Sequence, residues 1–563
     1  MKFFTKTVAI VLAMFLFTSF SNHPLADILR FNLPVELRRV MDENRKITFP
    51  PLHPDLEYVI NSFVPRNLDK DEHYRVLEIL GQARRRHMAG QGYFAFIRNW
   101  GTTVDFGAFL THEQLDKEIR FFFDLLRHGY DGYLYFGGDD VFLPVRDAML
   151  ERLADMTDPL QVYSYLNDLL VPAFQGVIAD NHFHVQHVRF GPPAHVPFMN
   201  EEFILRRSEG GFVTVIDGIS YRVVEVTRHS SSPLDGTLPT LTPAGELVWV
   251  FGIVTTDSGR DVIEITVLLE NTATNESRSH PVDLHRIDSP QFLAGPMVSI
   301  CESAGITIMK NRRLSAASPS LTPFEETDAF LRSGYELRDS PILIMDLRGH
   351  TGGSSSLARQ WMEMYVDHKP QRNSLFAWSS LRISTVASAL TNFFSPSFTA
   401  LHLLTPENLM GERFIRAKDP RFAETRVTGT SALERPPLTT SVSGTLPHVP
   451  IPNKNLVIVL TDKNIGSAGE LFVGHLRQLE NVLVVGTNTA GALLTSNVGR
   501  AILPYSGLAV MFGTRLNLRH DLSQFEGIGF KPDLWVPPGE SLERVLRFIE
   551  RYGLVNAASG TTD

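Results

Sequence analysis

A serine between an apolar run and an amphipathic pattern is the first candidate for chemistry. Ser467 lies in the sequence GSAGE (466–470), after the apolar run 456–460 and at the start of a stretch with apolar residues at helical spacing. A serine there has unpaired N–H groups and the positive end of a helix close to its hydroxyl. Those donors can stabilise the oxyanion that forms when a hydroxyl attacks a carbonyl. The same position also suits a serine that only caps a helix.

A glycine-rich loop is the second candidate. The sequence DLRGHTGG (346–353) follows the apolar run 342–345 and precedes another helical pattern. Gly352 and Gly353 let the backbone approach a ligand closely, and their N–H groups can complete an oxyanion hole. Such a loop could also hold a phosphate, but it contains neither GxGxxG nor GxxxxGK[ST]. His350 in this loop is a further possible base or ligand, or an ordinary loop side chain.

A serine nucleophile needs a base to take its proton. No lysine occurs between Lys463 and Lys531, so a lysine base from the local sequence is excluded. The sequence DNHFHVQH (180–187) offers histidines instead. His182 and His184 share one face of an extended chain, and the sequence leaves open which of them is the base.

The base must itself be oriented by a third group, usually a carboxylate. Glu526 in the sequence EGIGFKPD (526–533) is the candidate, in a glycine-rich turn. A lone glutamate in such a turn is also compatible with a solvated loop residue.

The histidine cluster permits a rival interpretation as a metal site. His182, His184 and His187 could bind zinc with help from Asp180. No HExxH and no second HxH pattern accompanies them, so the residues favour a protein without a metal or other cofactor.

Composition sets the class of protein. The chain has 563 residues, which predicts two to four domains, and its formal net charge of -9 argues against nucleic acid as a partner. Its single cysteine, Cys301, excludes an intramolecular disulfide and any metal site built from several cysteines.

The N-terminus has the order of charges and apolar residues typical of a secretory signal peptide. Lys2 and Lys6 precede the apolar run 8–17, and small residues follow at 19–21. We therefore expect a signal peptide over 1–21 and a secreted or periplasmic protein. No later segment is long and apolar enough to predict a membrane span after the signal is removed.

Changes in residue pattern divide the rest of the chain. We predict a helical N-terminal region that carries the histidines, a small β-rich domain, and an α/β core in which strands and helices alternate. Within the core, a segment rich in Ser, Thr and Pro predicts a lid or binding loop. The boundaries are 22–188 for the helical region, 189–300 for the β-rich domain, 301–550 for the core, 372–450 for the lid-like insertion and 551–563 for a flexible tail.

Four motifs in this order resemble the catalytic core of the C-terminal-processing, or tail-specific, serine peptidases. They are DLR…GG (346–353), GSAGE (466–470), VGTNTAG (485–491) and GIGFKPD (527–533). The resemblance implies a crotonase-like α/β core, and it places the β-rich segment where that family has a PDZ-like domain. It departs from the family at His350 and Thr351, where Asn and a small residue or Pro are more usual, and it lacks a clear Gly-Leu-Gly-Phe loop.

The resemblance also selects a branch of the family. Ala492 stands where the processing peptidases have their lysine, so the chain is more similar to the branch of the tricorn core and the chlamydial protease-like activity factor. That branch implies His182 as base, Ser467 as nucleophile and Glu526 as third member. It also implies an oxyanion hole from Gly352 or Gly353 together with the N–H of Ala468.

The function expected from these residues is a secreted serine endopeptidase that cleaves protein or peptide substrates through an acyl-enzyme. Two alternatives remain at this stage: a non-catalytic relative that binds apolar ligands, and a zinc-dependent hydrolase. A homo-oligomer is compatible with the sequence, which specifies neither the substrate nor recognition of free C-termini.

Overall fold

The computed structural model describes most of the chain from the first predicted domain onward. It describes residues 31–45, 54–55, 70–89, 95, 99–366, 378–381, 385–393 and 450–555, with short gaps at 32, 157, 227–235, 257–258, 294, 304, 316–321, 392, 520–521 and 523. The predicted signal peptide, most of the 372–450 insertion and most of the 551–563 tail lie outside the described residues.

The described residues form twelve α-helices, numbered here in chain order. They are α1 Val35–Arg45, α2 Lys70–Met88, α3 His112–Gly129, α4 Gly132–Tyr135, α5 Asp139–Ala154, α6 Val162–Ser164, α7 Val171–Phe174, α8 Pro323–Glu336, α9 Ser355–Val366, α10 Thr385–Thr391, α11 Ala468–Leu476 and α12 Ser541–Arg551. A π-helical turn, Tyr165–Leu170, joins α6 to α7, and a 3-10 turn, Leu337–Asp339, follows α8.

The strands alternate with these helices only in the second half of the chain. They are β1 Phe109–Leu110, β2 Leu160–Gln161, β3 His184–Val185, β4 Val188–Arg189, β5 Val196–Ser208, β6 Gly211–Ile216, β7 Ile219–Val226, β8 Thr237–Leu241, β9 Leu247–Thr255, β10 Val262–Asn271, β11 Ser277–Arg286, β12 Ser299–Ser303, β13 Ile306–Lys310, β14 Ile342–Asp346, β15 Trp378–Leu381, β16 Leu456–Thr461, β17 Val482–Gly486, β18 Thr495–Ile502, β19 Ala509–Leu518 and β20 Leu534–Trp535.

The centre of the molecule is a six-stranded sheet in the order β12-β13-β14-β16-β17-β20. All neighbours from β13 to β20 are parallel, and only β12 runs antiparallel. The middle strands β14, β16 and β17 are fully buried, as their near-continuous apolar sequences require. Because the strands are parallel, the loops after β14 and β16 leave the sheet at the same edge.

The two faces of this sheet have different partners. Leu343 and Met345 point to the face covered by α8, α9 and α11. Ile342 and Ile344 point to the opposite face, where they join α12 and the apolar residues of the β-rich region. Successive residues of a strand point to opposite faces, so one apolar run supplies both cores. The sheet is thus buried between a helical layer and a β-rich layer.

The β-rich region, from β5 to β11, is a seven-stranded antiparallel sheet in the order β11-β10-β7-β6-β5-β9-β8. A further pairing between β11 and β5 closes five of its strands into a barrel. The long β5 makes this possible because a register shift between Asn200 and Ile204 bends it. The apolar residues of α1 pack in the same core.

The helical region has a core of its own. Helices α2 to α7 surround a cluster rich in aromatic residues, which also takes in α10 and the hairpin of β18 and β19. That hairpin belongs to a sheet in which β19 pairs with β15, β18 and β3. The strand β15 and the helix α10 belong to the segment predicted as an insertion, so its described part is docked on this core.

The main elements predicted from the residue pattern are confirmed. The apolar runs at 342–345 and 456–460 are strands, and a helix follows each loop, as predicted. Thr111 caps α3 with a capping box to Gln114. The β-branched runs between 212 and 268 are strands as well. Within the described residues, no helix combines the length and apolarity needed to cross a membrane.

Gly245 provides a test of how the β-rich layer docks on α12. It lies in the turn between β8 and β9 at φ +74°, and a Cβ there would lie 2.4 Å from the main-chain nitrogen of Phe548. We predict that Gly245→Ala lowers the free energy of unfolding by about 2–4 kcal/mol, because it adds a clash with helix backbone to the cost of a left-handed alanine. Denaturant unfolding of the purified protein measures this.

Gly218→Ala is the matched control. Gly218 also lies in a turn of this sheet at φ +78°, but a Cβ there would meet nothing within 4 Å. Its variant carries only the conformational cost of about 1 kcal/mol. Equal losses in the two variants would contradict close packing of the 242–246 turn against α12.

Candidate active site

Ser467 stands on a strained turn between β16 and α11. Its dihedral angles are φ 54° and ψ −121°. An ordinary N-cap residue adopts β-region angles, so Ser467 is not placed as a simple helix cap. A non-glycine residue with positive φ is held there by its surroundings, and such strain concentrates at functional sites. The turn exposes the side chain at the N-terminus of α11, as a nucleophile elbow does.

The glycine loop lies directly against this serine. A Cβ on Gly352 would lie 3.2 Å from Cβ of Ser467 and 3.6 Å from the main-chain nitrogen of Ala468. Gly352 has φ +95° and Gly353 has φ +129°. Any side chain at 352 would therefore fill the space beside the hydroxyl. The absence of a side chain leaves room there for the carbonyl of a substrate.

Buried ion pairs hold the glycine loop at its start. The carboxylate of Asp346 accepts from the guanidinium groups of Arg348 and Arg312, each at 2.8 Å. Burial alone would raise the pKa of Asp346, but the two arginines outweigh it and lower the pKa to about 2. Asp462 accepts the N–H of Gly349 at 2.9 Å. The loop is thus attached both to its own strand and to the loop that carries Ser467.

Glu470 lies beneath the elbow and joins it to a neighbouring segment, residues 489–494, which we call the junction loop. It is fully buried. Its carboxylate accepts from the N–H of Ser467 at 3.1 Å, the hydroxyl of Thr489 at 2.6 Å, the N–H of Gly491 at 2.8 Å and the N–H of Ala492 at 2.7 Å. Burial raises the pKa of Glu470 to about 7, against the effect of these four donors.

His182 follows Asn181, whose side chain contacts the junction loop at the carbonyl of Gly491. The main-chain N–H of His182 donates to Asp180 at 2.8 Å, and Asp180 also accepts from the hydroxyl groups of Tyr130 and Thr495. Both ring nitrogens of His182 are buried, and neither makes a hydrogen bond within the described chain. Burial lowers the pKa of His182, although the Asp180 charge opposes this. The ring is therefore neutral at pH 7, the state that a general base needs.

Glu526 lies beside His182, but its contacts are with the main chain. One carboxylate oxygen accepts the N–H of Asn181 at 2.6 Å, and the other accepts the N–H groups of Leu493 and Leu494 at 2.9 and 2.7 Å. Burial, and then the charge of Asp180, raise the pKa of Glu526 to about 8. The role expected for Glu526, direct orientation of the imidazole, stays a prediction, since none of these bonds reaches the ring.

The junction loop brings the predicted residues together. Glu470 binds it from the serine side, Glu526 binds it from the histidine side, and the Asn181 side chain donates to the carbonyl of Gly491 at 2.6 Å. Gly466, next to the serine, lies with its Cβ position 3.9 Å from Cβ of Ala492. The junction loop thus contacts Glu470, Glu526 and Asn181, the neighbour of His182, while Gly352 and Ala468 adjoin Ser467 on the other side of the elbow.

The other histidines of the cluster have separate surroundings. The Nε2 of His184 lies 2.9 Å from the carbonyl oxygen of Asn181, and burial lowers the pKa of His184. The ring of His187 packs edge-on against Phe106. Within the described part of the chain, no group of three His, Cys, Asp or Glu side chains is arranged to hold a metal ion. Cys301 is exposed on β12, away from these residues.

Sequence reasoning missed two positioning carboxylates. Glu470 was visible only as part of the GSAGE motif, although the Ser-x-x-Glu spacing of a capping box pointed to a contact with the backbone of Ser467. Asp180 was considered only as a metal ligand. Its contacts with Tyr130 and Thr495 span 50 and 315 residues of sequence, so no local pattern could reveal them.

Glu526→Gln tests what the carboxylate does. An amide offers one acceptor oxygen where the carboxylate uses two, so at least one buried N–H loses its partner or faces an N–H donor. We predict a loss of about 1–3 kcal/mol in the free energy of unfolding. Thermal and denaturant unfolding of the full chain measure it.

Glu543→Gln is the control, because Glu543 pairs with Arg547 on the exposed face of α12. Its stability should change by less than about 0.5 kcal/mol. If Glu526→Gln leaves stability unchanged and abolishes only activity, the carboxylate acts on the imidazole and not on the main chain.

Comparisons with known proteins point to one family. Residues 320–536 match the model of peptidase family S41. A comparison of the sequence with curated proteins found no match. This stretch covers the core sheet from α8 to β20 and includes Ser467, Glu526 and the glycine loop.

Matches among solved structures include three proteases. Mature CPAF is 14% identical over 80% of this chain and 99% of that chain, with a TM-score of 0.37. The photosystem II D1 C-terminal processing protease is 13% identical over 78% of this chain and 98% of that chain, with a TM-score of 0.31. The tricorn protease is 10% identical over 80% of this chain and 37% of that chain, with a TM-score of 0.32. Sequence identities and TM-scores this low carry no information about the substrate of this chain.

The match over 320–536 agrees with the order of the four motifs and with a serine elbow at the edge of a parallel sheet. Residues 320–536 are therefore a peptidase family S41 domain, and the enzyme class of the chain is that of a serine-type peptidase.

Proposed function

We propose that this chain is a serine endopeptidase that cleaves protein substrates with Ser467 as nucleophile, His182 as general base and Glu526 as the group that holds the base in place. The observation that carries the proposal is the elbow itself. A serine at positive φ, at the N-terminus of a helix and with a glycine backbone against its Cβ, has the surroundings of an attacking hydroxyl.

The reaction follows from these groups. Ser467 Oγ attacks the carbonyl carbon of the scissile peptide while His182 takes the hydroxyl proton. The carbonyl oxygen becomes an oxyanion beside the N–H of Ala468 and the glycine loop. The intermediate collapses, the C–N bond breaks, and His182 returns the proton to the leaving amine. Water, activated by the same imidazole, then hydrolyses the acyl-enzyme and frees Ser467.

The state of His182 supports its assignment as the base. A buried neutral imidazole with two unpartnered nitrogens can accept a proton at one nitrogen without first breaking a bond. Glu526 and Asp180 hold the main chain on both sides of it, through Asn181 and through the N–H of His182 itself. In this proposal Glu526 acts by fixing where the imidazole lies, through the main chain of Asn181.

The β-rich layer is proposed as the unit that presents the substrate, in the position of a PDZ-like domain. The β5–β11 pairing closes five strands into a barrel and removes their free edges, whereas β8 lies outside the barrel at the end of the seven-stranded order. Among the described strands of this layer, a peptide could therefore add only at β8.

Labelling by a fluorophosphonate tests the nucleophile. We predict that the wild-type protein is labelled, that Ser467→Ala is not, and that a denatured casein substrate is cleaved at least about 1,000-fold more slowly by the variant. The control is Ser354→Ala, since Ser354 is exposed in the same loop region and its hydroxyl is hydrogen-bonded to the hydroxyl of Ser356. Labelling that persists in Ser467→Ala excludes this serine as the nucleophile.

The histidine variants complete this test. His182→Ala should lose labelling to the same degree as Ser467→Ala, while His184→Ala should keep it within about threefold, because His184 is oriented by a main-chain carbonyl. EDTA should change neither rate. Loss of activity with EDTA would favour the zinc-dependent alternative, and apolar ligand binding without labelling would favour the non-catalytic one.

We also propose that the chain is exported and that residues 1–21 are removed. The support is the order of Lys2, Lys6, the apolar run 8–17 and the small residues at 19–21. N-terminal sequencing of the protein recovered from its native compartment should begin near residue 22. A mature protein that retains Met1 contradicts the proposal.

A further inference from the structure

We propose that His350 is a positioning residue for the oxyanion hole expected from the glycine pair and Ala468: it accepts the N–H of Gly352 and so leaves the N–H of Gly353 to face the substrate. This inference rests on the proposed function of Ser467. It identifies which of the two glycines donates its N–H to the oxyanion, a choice that the sequence leaves open. It also gives a role to His350, which no step of the proposed reaction uses.

The first observation is that the Gly352 N–H is already engaged. It donates to Nδ1 of His350 at 2.9 Å. A donor held by a buried nitrogen is not available to an oxyanion without breaking that bond. Gly352 thus contributes space beside Ser467 but no hydrogen bond.

The N–H of the next residue, Gly353, points in a different direction from that of Gly352. The carbonyl of Gly352 accepts from the N–H of Leu314, and the N–H of Ser354 donates to the carbonyl of Leu314, both at 2.8 Å. These two hydrogen bonds form a parallel β-bridge between Leu314 and Gly353. In a bridge of this kind the N–H and carbonyl of Gly353 itself face away from Leu314. The Gly353 N–H makes no hydrogen bond with any other described residue. The Ala468 N–H, in the first turn of α11, is likewise unpaired.

The imidazole of His350 is fixed from several sides. A Cβ on Gly469 would lie 2.5 Å from its Nδ1, so only a glycine in α11 lets the ring lie against this helix. The carbonyl of His350 accepts the N–H of Gly466 at 3.1 Å, and its own N–H donates to the carbonyl of Leu347. The ring therefore has one position relative to both the serine elbow and the glycine loop.

The hydrogen bond also specifies the form of the ring. Nδ1 accepts, so the ring proton lies on Nε2, which is buried and unpartnered within the described chain. Burial, and then the charge of Arg312, lower the pKa of His350 to about 4. A neutral ring of this tautomer presents a lone pair to the Gly352 N–H.

A pair of variants separates the acceptor from the bulk of the ring. His350→Asn places an amide oxygen at the same distance along the side chain as Nδ1, so it keeps the acceptor and loses bulk. His350→Leu keeps much of the bulk and loses the acceptor. We expect His350→Leu to lower kcat about 100-fold with KM nearly unchanged, because it misplaces one oxyanion donor. His350→Asn should stay within about fivefold of wild type.

The rates are measured with the casein substrate and as second-order rate constants of fluorophosphonate labelling, on variants whose thermal midpoints are also determined. A rate for His350→Leu within threefold of the wild-type rate overturns the inference. The inference is also overturned if His350→Asn is as slow as a folded His350→Leu, since lost packing and not a lost acceptor would then explain the lower rate.

A third readout does not depend on activity. In the Ser467→Ala protein, an imidazole ¹⁵N spectrum should contain one signal of an unprotonated Nδ1 at pH 7 that disappears in the Ser467→Ala, His350→Asn double variant. A protonated Nδ1 at this residue overturns the inference even if Ser467 is the nucleophile. Unlabelled wild-type protein, in contrast, overturns the proposed function.

Discussion

The site depends on one buried carboxylate that holds a strained turn. Taking the charge of Glu470 out of water is costly unless hydrogen-bond donors replace the lost hydration. Here four donors do so, and one of them is the N–H of Ser467 itself. The same group that helps hold the serine at positive φ thereby binds the junction loop. The position of the elbow relative to the histidine follows from this contact, because the junction loop also binds Asn181 and Glu526.

The parallel sheet determines where the parts of the site meet. β14 and β16 are adjacent and parallel, so the loops after both strands leave the sheet side by side. One loop supplies glycines and the other the serine, and the Gly349–Asp462 bond links them. In open α/β sheets, ligands bind at the carboxyl ends of the strands for this reason. The pairing of the two strands alone therefore places the glycine loop beside the loop that carries Ser467.

Two histidines in the same neighbourhood have opposite hydrogen-bonding states. His182 has both ring nitrogens unpartnered in the described chain, while His350 uses its Nδ1 to accept a main-chain N–H. Burial lowers the pKa of each ring, so both are neutral at pH 7. An unpartnered neutral ring can take up a proton from a nucleophile, whereas a partnered one serves to hold the backbone. Environment and not residue type separates the two roles.

The sequence by itself determined the candidate residues and the strands that carry them. Apolar runs predicted β14 and β16, and helical spacing predicted α9 and α11, because burial along a strand or helix follows the order of consecutive residues. The glycine pair, Ser467 and the absence of a nearby lysine favoured a serine with a histidine base, which stays a prediction. The hairpin of β18 and β19 and the closure of the β-rich barrel were not foreseen, since both depend on pairings between distant segments.

Only the tertiary structure decided the geometry of these residues. It showed that Ser467 has the angles of an elbow and not of a helix cap, that Glu526 binds main-chain N–H groups, and that Gly352 donates to His350. Each of these facts concerns the direction of a hydrogen bond or the value of a dihedral angle. Such directions are set by contacts across the fold, with Asn181 and Glu526 lying 345 residues apart. Residue types and spacing state which groups are present, and packing determines which donor meets which acceptor.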